Sequence, residues 1–210
     1  MLTNGSIQEI TAEKVQEESV WLSPIGVLFG NSSDTLLVHW IGNSLYAKPR
    51  FQILNMPKEH SSLKGIRKVN KFDMIKCYNQ YPVTANNYDK LSFTFNGHYY
   101  QCKTLVYGPS QCVYLVEAMN DLIVNYCRHK RSRVILRLID DFLEESRDGE
   151  QSFLKSLLTD LGYFLNEEKE ALSKQSVEFC GFKLDLGTQR VKLADKPGNK
   201  ILEDIDYRKG

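Results

Sequence analysis

The residues of this 210-residue chain best suited to chemistry are carboxylates. Asp140 and Asp141 stand side by side in the β-rich run VILRLIDDFLEES. Successive residues of a regular strand point to opposite faces. An adjacent pair therefore either occupies a tight turn, where both members approach one spot, or turns one member toward the core. Enclosing an unpaired carboxylate is costly, so an enclosed pair requires a counter-charge or a metal ion. An exposed Asp-Asp turn is the plain alternative. A third carboxylate, Asp73, lies in KFDMIKCY, where Phe72, Met74 and Ile75 suggest a strand leading into a turn. If that strand pairs beside the one ending at Asp140, three carboxylates converge at one edge of a sheet. Hard divalent cations such as Mg²⁺ take oxygen ligands and share them with substrate phosphates. Two such ions roughly 3.5–4 Å apart activate an attacking hydroxyl and stabilise the leaving oxygen in phosphoryl transfer. Spacing alone leaves open whether the strands are neighbours.

The elements around these residues have clear signatures. In LSFTFNGHYYQCKTL, Asn96-Gly97 is the dipeptide that a two-residue type I′ turn demands, because both positions need positive φ. Leu91, Phe93 and Phe95 alternate before it, which gives a hairpin. A helix follows, opened by Pro109, whose missing amide suits a first helical turn. Its apolar residues Cys112, Leu115, Val116, Met119, Leu122, Ile123 and Tyr126 recur at three- and four-residue steps as one face. It ends in the basic run Arg128 to Arg131, favourable at a helix C-terminus. Phe153, Leu154, Leu157, Leu158 and Leu161 mark a second amphipathic helix stopped by Gly162. VEFCGFKLDLGTQRVKL reads as two strands around Gly187-Thr188. Nearer the N-terminus, WLSPIGVLF and TLLVHWI flank a Gly/Asn/Ser turn as a second hairpin. Residues 42–70 read as loop with one short helix, and residues 1–20 as a short helix or loose arm. The fold class is α+β: an antiparallel sheet covered by two helices.

Hydrophobic residues make up 42% and charged residues 25%, both in the globular range, which excludes a disordered or fibrous chain. The net charge of +1 lacks the basic excess that usually marks a nucleic-acid partner. Local clusters could still track a phosphate backbone or be plain solvated loops: Lys58, Lys64, Arg67, Lys68, Lys71 and Lys76 on one side, Arg128 to Arg137 on the other. Five dispersed cysteines, without a CxxC pair, fit buried thiols better than a disulfide framework or a zinc site. No run of about 18 apolar residues occurs, and the polar start lacks a signal peptide's apolar core. The expectation is an intracellular chain, cytoplasmic or nuclear, with no membrane partner.

The stretch from Trp21 to Leu193 resembles the fingers and palm of a reverse transcriptase, closest to those of retroelements. Phe72-Asp73-Met74-Ile75-Lys76-Cys77-Tyr78 is similar to the first palm motif, an Asp followed five residues later by an aromatic. FTFNGHYYQCKTLVYG resembles the segment leading to the family's Leu-Pro-x-Gly motif, with Gly108 in the glycine position. Leu138-Ile139-Asp140-Asp141 resembles the Tyr-x-Asp-Asp box. Leu161-Gly162-Tyr163, with Asn166 and Lys169, is like the Leu-Gly-x-x-x-Asn-x-x-Lys segment. Phe179-Cys180-Gly181-Phe182 resembles the Phe-Leu-Gly-Phe primer grip. The five occur in family order.

The resemblance implies a right-hand polymerase palm with a small β-rich fingers subdomain. Its boundaries would be an N-terminal arm at 1–20, fingers at 21–70, palm at 71–193 and a tail or thumb stub at 194–210. It implies templated DNA synthesis from a primer 3′-OH on RNA or DNA, with two Mg²⁺ ions held by Asp73, Asp140 and Asp141. Template–primer nucleic acid and a deoxynucleoside triphosphate would be the partners. Tyr78 would be the steric gate under the incoming sugar, Gly108 would let backbone approach the nucleotide or template, and Lys169 would sit near the triphosphate. Phe179, Gly181 and Phe182 would hold the primer terminus. Each residue also has a plain structural reading: core aromatic, glycine before a helix, solvated lysine, core strand.

The departures are specific. Leu138 stands where the box usually has Tyr, and Cys112-Val113 occupies the neighbourhood of the usual Ser-Pro pair. The fingers of the family carry Lys and Arg that grip the triphosphate, whereas DTLLVHWIGNSLYA contains neither. Neutralising phosphate charge is much of what such an enzyme does besides binding metal. The alternative is a catalytically dead, domesticated domain that serves as a protein- or nucleic-acid-binding scaffold or forms a homo-oligomer. An unrelated metal-dependent phosphotransferase on a similar palm is a third reading.

Overall fold

The structure, a computed structural model, describes residues 5–17, 19–23, 25–29, 35–39, 59–131, 133–194 and 205–206. Along the chain come β1 (Ile7–Ile10), α1 (Ala12–Val15), β2 (Leu22–Ser23), β3 (Ile25–Phe29), β4 (Thr35–His39) and β5 (Val69–Asp73). Next are β6 (Ser92–Phe95), β7 (His98–Cys102), α2 (Ser110–Arg131), β8 (Ile135–Leu138), β9 (Asp141–Glu145) and α3 (Phe153–Asp160). The last are β10 (Ala171–Lys174), β11 (Ser176–Phe179), β12 (Phe182–Asp185), β13 (Arg190–Leu193) and β14 (Ile205–Asp206). The α+β expectation holds. Two compact units emerge: residues 1–51 with 76–118, and residues 52–75 with 119–210.

In the first unit four strands pair in the order β1-β7-β6-β2, and β3 pairs with β4. The β6–β7 turn is as expected: Phe95 pairs with His98 across Asn96 and Gly97, whose φ values are 50° and 77°. The N-terminal segment holds the expected short helix, α1, but Ile7–Ile10 before it is an edge strand, Ile7 opposite Cys102 and Ile10 opposite Tyr99. Its apolar residues at 7 and 10 do not alternate, so it carries no strand periodicity. The expected β3–β4 pairing is present, while its turn at 30–34 lies outside the described residues, as do 40–58 and most of the tail.

The second unit is built on an antiparallel sheet in the order β10-β5-β9-β8. Phe72 lies opposite Phe142, and both are buried. Helices α2 and α3 are tied to this sheet by polar contacts. Arg137 Nη2 reaches Asp121 Oδ1 at 2.7 Å, and Arg128 donates to the Ile135 carbonyl. Glu144, 1% exposed, accepts from Asn70 at 3.2 Å and from the Leu154 amide at the start of α3 at 3.3 Å, and faces Arg133 at 3.5 Å. Val69, Leu136 and Leu143 contribute to an apolar cluster with Val177, Phe179, Leu184 and Val191 of the β11–β14 sheet.

Two local expectations are corrected. First, α2 buries Cys112, Val116, Asn120, Ile123, Val124 and Cys127, and leaves Leu115, Met119, Leu122 and Tyr126 between 44% and 66% exposed. The buried stripe runs through Asn120, a polar residue that a hydropathy reading assigns to solvent. Second, VEFCGFKLDLGTQRVKL holds three strands rather than two. Cys180 and Gly181, with φ of 51° and 79°, form a further two-residue turn closed by the Phe179–Phe182 pair. A cysteine at positive φ gives no sequence signal for such a turn.

Replacing Glu144 with alanine leaves Arg133, 2% exposed, without its buried partner. Glu144→Ala is expected to cost about 3 kcal/mol, read as a shift of the urea unfolding midpoint.

Candidate functional site

Strand β5 ends where β9 begins, and the register sets Asp73 directly opposite Asp141. The loop joining β8 to β9 is only Ile139-Asp140, closed by the Leu138–Asp141 pair. Both earlier options for the doublet are thus partly realised: Asp140 sits in the tight turn, and Asp141 is the first strand residue. The Met74 amide donates to the Asp140 carbonyl at 3.0 Å, stitching β5 to the turn. The three carboxylates, distant in sequence, share one sheet end.

The turn is strained. Ile139 has φ of +52°, a conformation that a β-branched residue rarely adopts and that glycine usually fills at the first position of such a loop. Asn120, fully buried on α2, donates its Nδ2 to the Ile139 carbonyl at 2.7 Å. That bond holds the strained peptide in place.

Two ammonium groups face the carboxylates. Lys169 Nζ lies 3.2 Å from Asp73 Oδ1, and Lys71 Nζ lies 3.3 Å from Asp141 Oδ1. Lys71 shares a strand face with Asp73 because the two are two residues apart. Lys169 closes a short 3₁₀ turn capped by Asn166, whose own amide donates to the Asp73 carbonyl at 2.8 Å. Asp141 Oδ1 is buried and makes no hydrogen bond, the Lys71 contact being an ion pair without hydrogen-bond geometry. Burial pushes the Asp140 carboxyl up to about 6, and the charges of Asp73 and Asp141 add to the rise. Asp141 is also raised, by burial first, with Lys71 pulling the other way. The ion pair with Asp73 holds the Lys169 ammonium above its ordinary value.

Three carboxylates against two ammonium groups leave a negative excess, and such a set of carboxylate oxygens suits a hard cation. Among the described residues, no three acidic, His or Cys side chains are gathered closely enough to hold a metal ion as they stand. The two lysines supply the counter-charge instead.

Of the other sequence-derived residues, Tyr78 and Gly108 belong to the first unit, and Phe179, Gly181 and Phe182 to the second. Tyr78 is 4% exposed with its ring 4.3 Å from that of Tyr107. Gly108 has φ of +115°, so its backbone requires glycine immediately before α2. Phe179 is buried in the apolar cluster, while Gly181 and Phe182 complete the β11–β12 turn. Sequence reasoning did not single out Lys71 and Asn120 for the site. The i, i+2 spacing of Lys71 to Asp73 was the available signal for the first; Asn120 had none.

No protein-family model and no curated protein matches this chain. Solved structures do. A foamy viral protease–reverse transcriptase bound to double-stranded DNA aligns with 92% of this chain at TM-score 0.69 and 18% identity, over 33% of its own length. The native prototype foamy virus protease–reverse transcriptase aligns at TM-score 0.67 and 16% identity, over 24% of its length. A foamy viral protease–reverse transcriptase bound to an RNA/DNA hybrid aligns at TM-score 0.62 and 20% identity, over 25% of its length. The chain thus spans a quarter to a third of these neighbours, and the fold is reverse-transcriptase-like.

Two outcomes follow from the geometry. Asn120→Ala removes a buried donor from the strained turn and is expected to lower unfolding stability by about 1–3 kcal/mol. Asp140→Asn probes the raised carboxyl. The folded chain holds the Asp140 proton up to about pH 6, while the unfolded chain releases it near 3.8, so ionisation costs stability above that window. Without divalent cations, Asp140→Asn is expected to be more stable than the natural chain by about 1–3 kcal/mol at pH 7.5, converging with it near pH 4. Denaturant melts across pH measure both.

Proposed function

We propose that this chain is a reverse-transcriptase-like palm with associated fingers that extends a primer on an RNA or DNA template. The observation that carries the reading is the register that sets Asp73 opposite Asp141 with Asp140 in the adjoining turn. The neighbours' complexes with double-stranded DNA and RNA/DNA hybrid support nucleic acid as the partner. Asp73, Asp140 and Asp141 would hold the two Mg²⁺ ions, which when bound supply charge neutralisation and an activated primer hydroxyl. Lys71 and Lys169 balance the carboxylates when cations are absent, and Lys169, with its exposed side chain, turns toward substrate phosphate. Asn120 keeps the Ile139-Asp140 peptide oriented. The Phe179–Phe182 turn would receive the primer end, Gly108 would give backbone access before α2, and Tyr78, its ring against Tyr107, would be the steric gate under the incoming sugar.

A second reading, a scaffold that binds nucleic acid or protein without catalysis, is favoured by one sequence fact. The segment DTLLVHWIGNSLYA has no Lys or Arg to grip a triphosphate. Primer extension separates the two. With Mg²⁺, a primed RNA or DNA template and all four deoxynucleoside triphosphates, the natural chain is expected to extend the primer. Asp73→Asn and Asp140→Asn are expected to lose at least a hundredfold in rate, a barrier increase of about 3 kcal/mol. Extension absent in the natural chain, together with a melting temperature indifferent to Mg²⁺, would leave the scaffold.

A further inference from the structure

The carboxylate face continues past Asp73 onto an apolar step. Residues 164–166 run antiparallel to residues 73–75 through the Met74–Leu165 bridge. The Asn166 amide donates to the Asp73 carbonyl at 2.8 Å, and the Ile75 amide to the Phe164 carbonyl at 3.0 Å. Directly opposite residues in such a pairing share a face, and alternate residues along each segment return to it. Asp73, Asn166, Ile75 and Phe164 therefore point the same way, while Met74 turns inward and is 1% exposed. Phe164 is 70% exposed and Ile75 43% exposed. An aromatic ring and a branched aliphatic side chain thus stand side by side, about 7 Å along the strand from Asp73. Lys169, whose ammonium sits on Asp73, approaches from the adjoining 3₁₀ turn.

Resting on the reading of the site given above, we propose that Phe164, floored by Ile75, is a stacking platform for a nucleobase whose phosphate lies toward Lys169. A flat π-face with exposed edges suits a base of any sequence, because every base offers a π-surface. A wholly apolar ligand would ignore the charges two residues away. A bare phosphate would not use the ring. A nucleotide matches both halves, with its sugar bridging the interval. The base comes either from a free deoxynucleoside triphosphate or from the end of a bound strand, and both present the same chemistry.

The test measures binding to the full chain in Mg²⁺. Calorimetry with dATP reads the first source, and fluorescence anisotropy with a labelled duplex bearing a recessed 3′ end reads the second. Phe164→Ala is expected to weaken binding about tenfold in the arm that uses the platform, the size of one base–aromatic stack. Its melting temperature should stay unchanged because the ring is mostly exposed. Phe164→Trp should bind like the natural chain, with indole emission quenched on binding. Loss confined to dATP assigns the platform to the nucleotide, and loss confined to the duplex assigns it to a strand end. Natural-chain affinity retained by Phe164→Ala in both arms overturns the platform alone. If the natural chain binds neither probe, the nucleic-acid reading falls and the platform with it.

Discussion

Electrostatic self-repulsion is the constraint around which the second unit is organised. A two-residue loop and one strand register bring three carboxylates to a single sheet end, where burial denies them most of the water that would screen them. Like charges in a partly dry environment repel more strongly than they do in water. The chain meets this with two lysines, one on the strand carrying Asp73 and one on a turn whose backbone is bonded to that same strand. It also meets it with protonation, since burial lifts the Asp140 carboxyl toward neutral pH. Charge balance, strand register and the placement of the 167–169 turn are one problem with one solution.

Holding that arrangement requires a rigid support, and the far side of the sheet provides it. Glu144 is a buried charge whose oxygens accept from β5 through Asn70 and from the first turn of α3, with Arg133 nearby. Arg137 ties β8 to α2 through Asp121. Each fixes the sheet to a helix by a geometry-specific contact, which apolar packing alone does not do. The Ile139 carbonyl of the adjoining turn then accepts from Asn120 of α2, which ties the peptide beside Asp140 to the same helix.

Much of this was legible in the chain. The Asn96-Gly97 turn and the two helices follow from turn chemistry and periodicity; the convergence of Asp73 on the Asp140–Asp141 doublet, which spacing alone leaves open, is implied by the family resemblance and given by the strand register. What escaped did so for identifiable reasons. Cys180 adopts positive φ without being glycine or asparagine, so its turn carries no sequence signal, whereas the turn beside Ile139 is one of the two options that the acidic doublet itself poses. The buried face of α2 passes through Asn120, whose value lies in one hydrogen bond and not in hydropathy. The 4-3-4 spacing of Leu115, Met119, Leu122 and Tyr126 looked like a core stripe and proved to be the exposed flank. Ile7–Ile10 is a strand because β7 offers it an edge, a tertiary cause invisible in four residues. Lys71 belongs in sequence to a run of basic residues, and its position two residues before Asp73 sets its face.

The energetic accounts of the two functional readings differ in a way the geometry makes concrete. Within the three residues from Ile139 to Asp141 the chain carries a β-branched residue at positive φ, a carboxyl raised by burial and a buried carboxylate oxygen without a hydrogen bond. Each is destabilising by an amount on the order of 1–3 kcal/mol. A scaffold gains nothing from them, since glycine at the turn and an amide at position 140 would remove the first two burdens. A site that gathers cations and phosphates needs them, because an oxygen already satisfied by the protein has little left to offer a ligand. Strain and unmet polarity concentrated at one point favour the catalytic reading, just as the uncharged segment DTLLVHWIGNSLYA favours the other. The two observations concern different steps: the first concerns where the reacting oxygens sit, the second how tightly a triphosphate is gripped. Under the proposed catalytic reading, a site with the first and without the second would bind nucleotide weakly, and its rate would climb with substrate concentration well beyond where a fully clamped site would saturate.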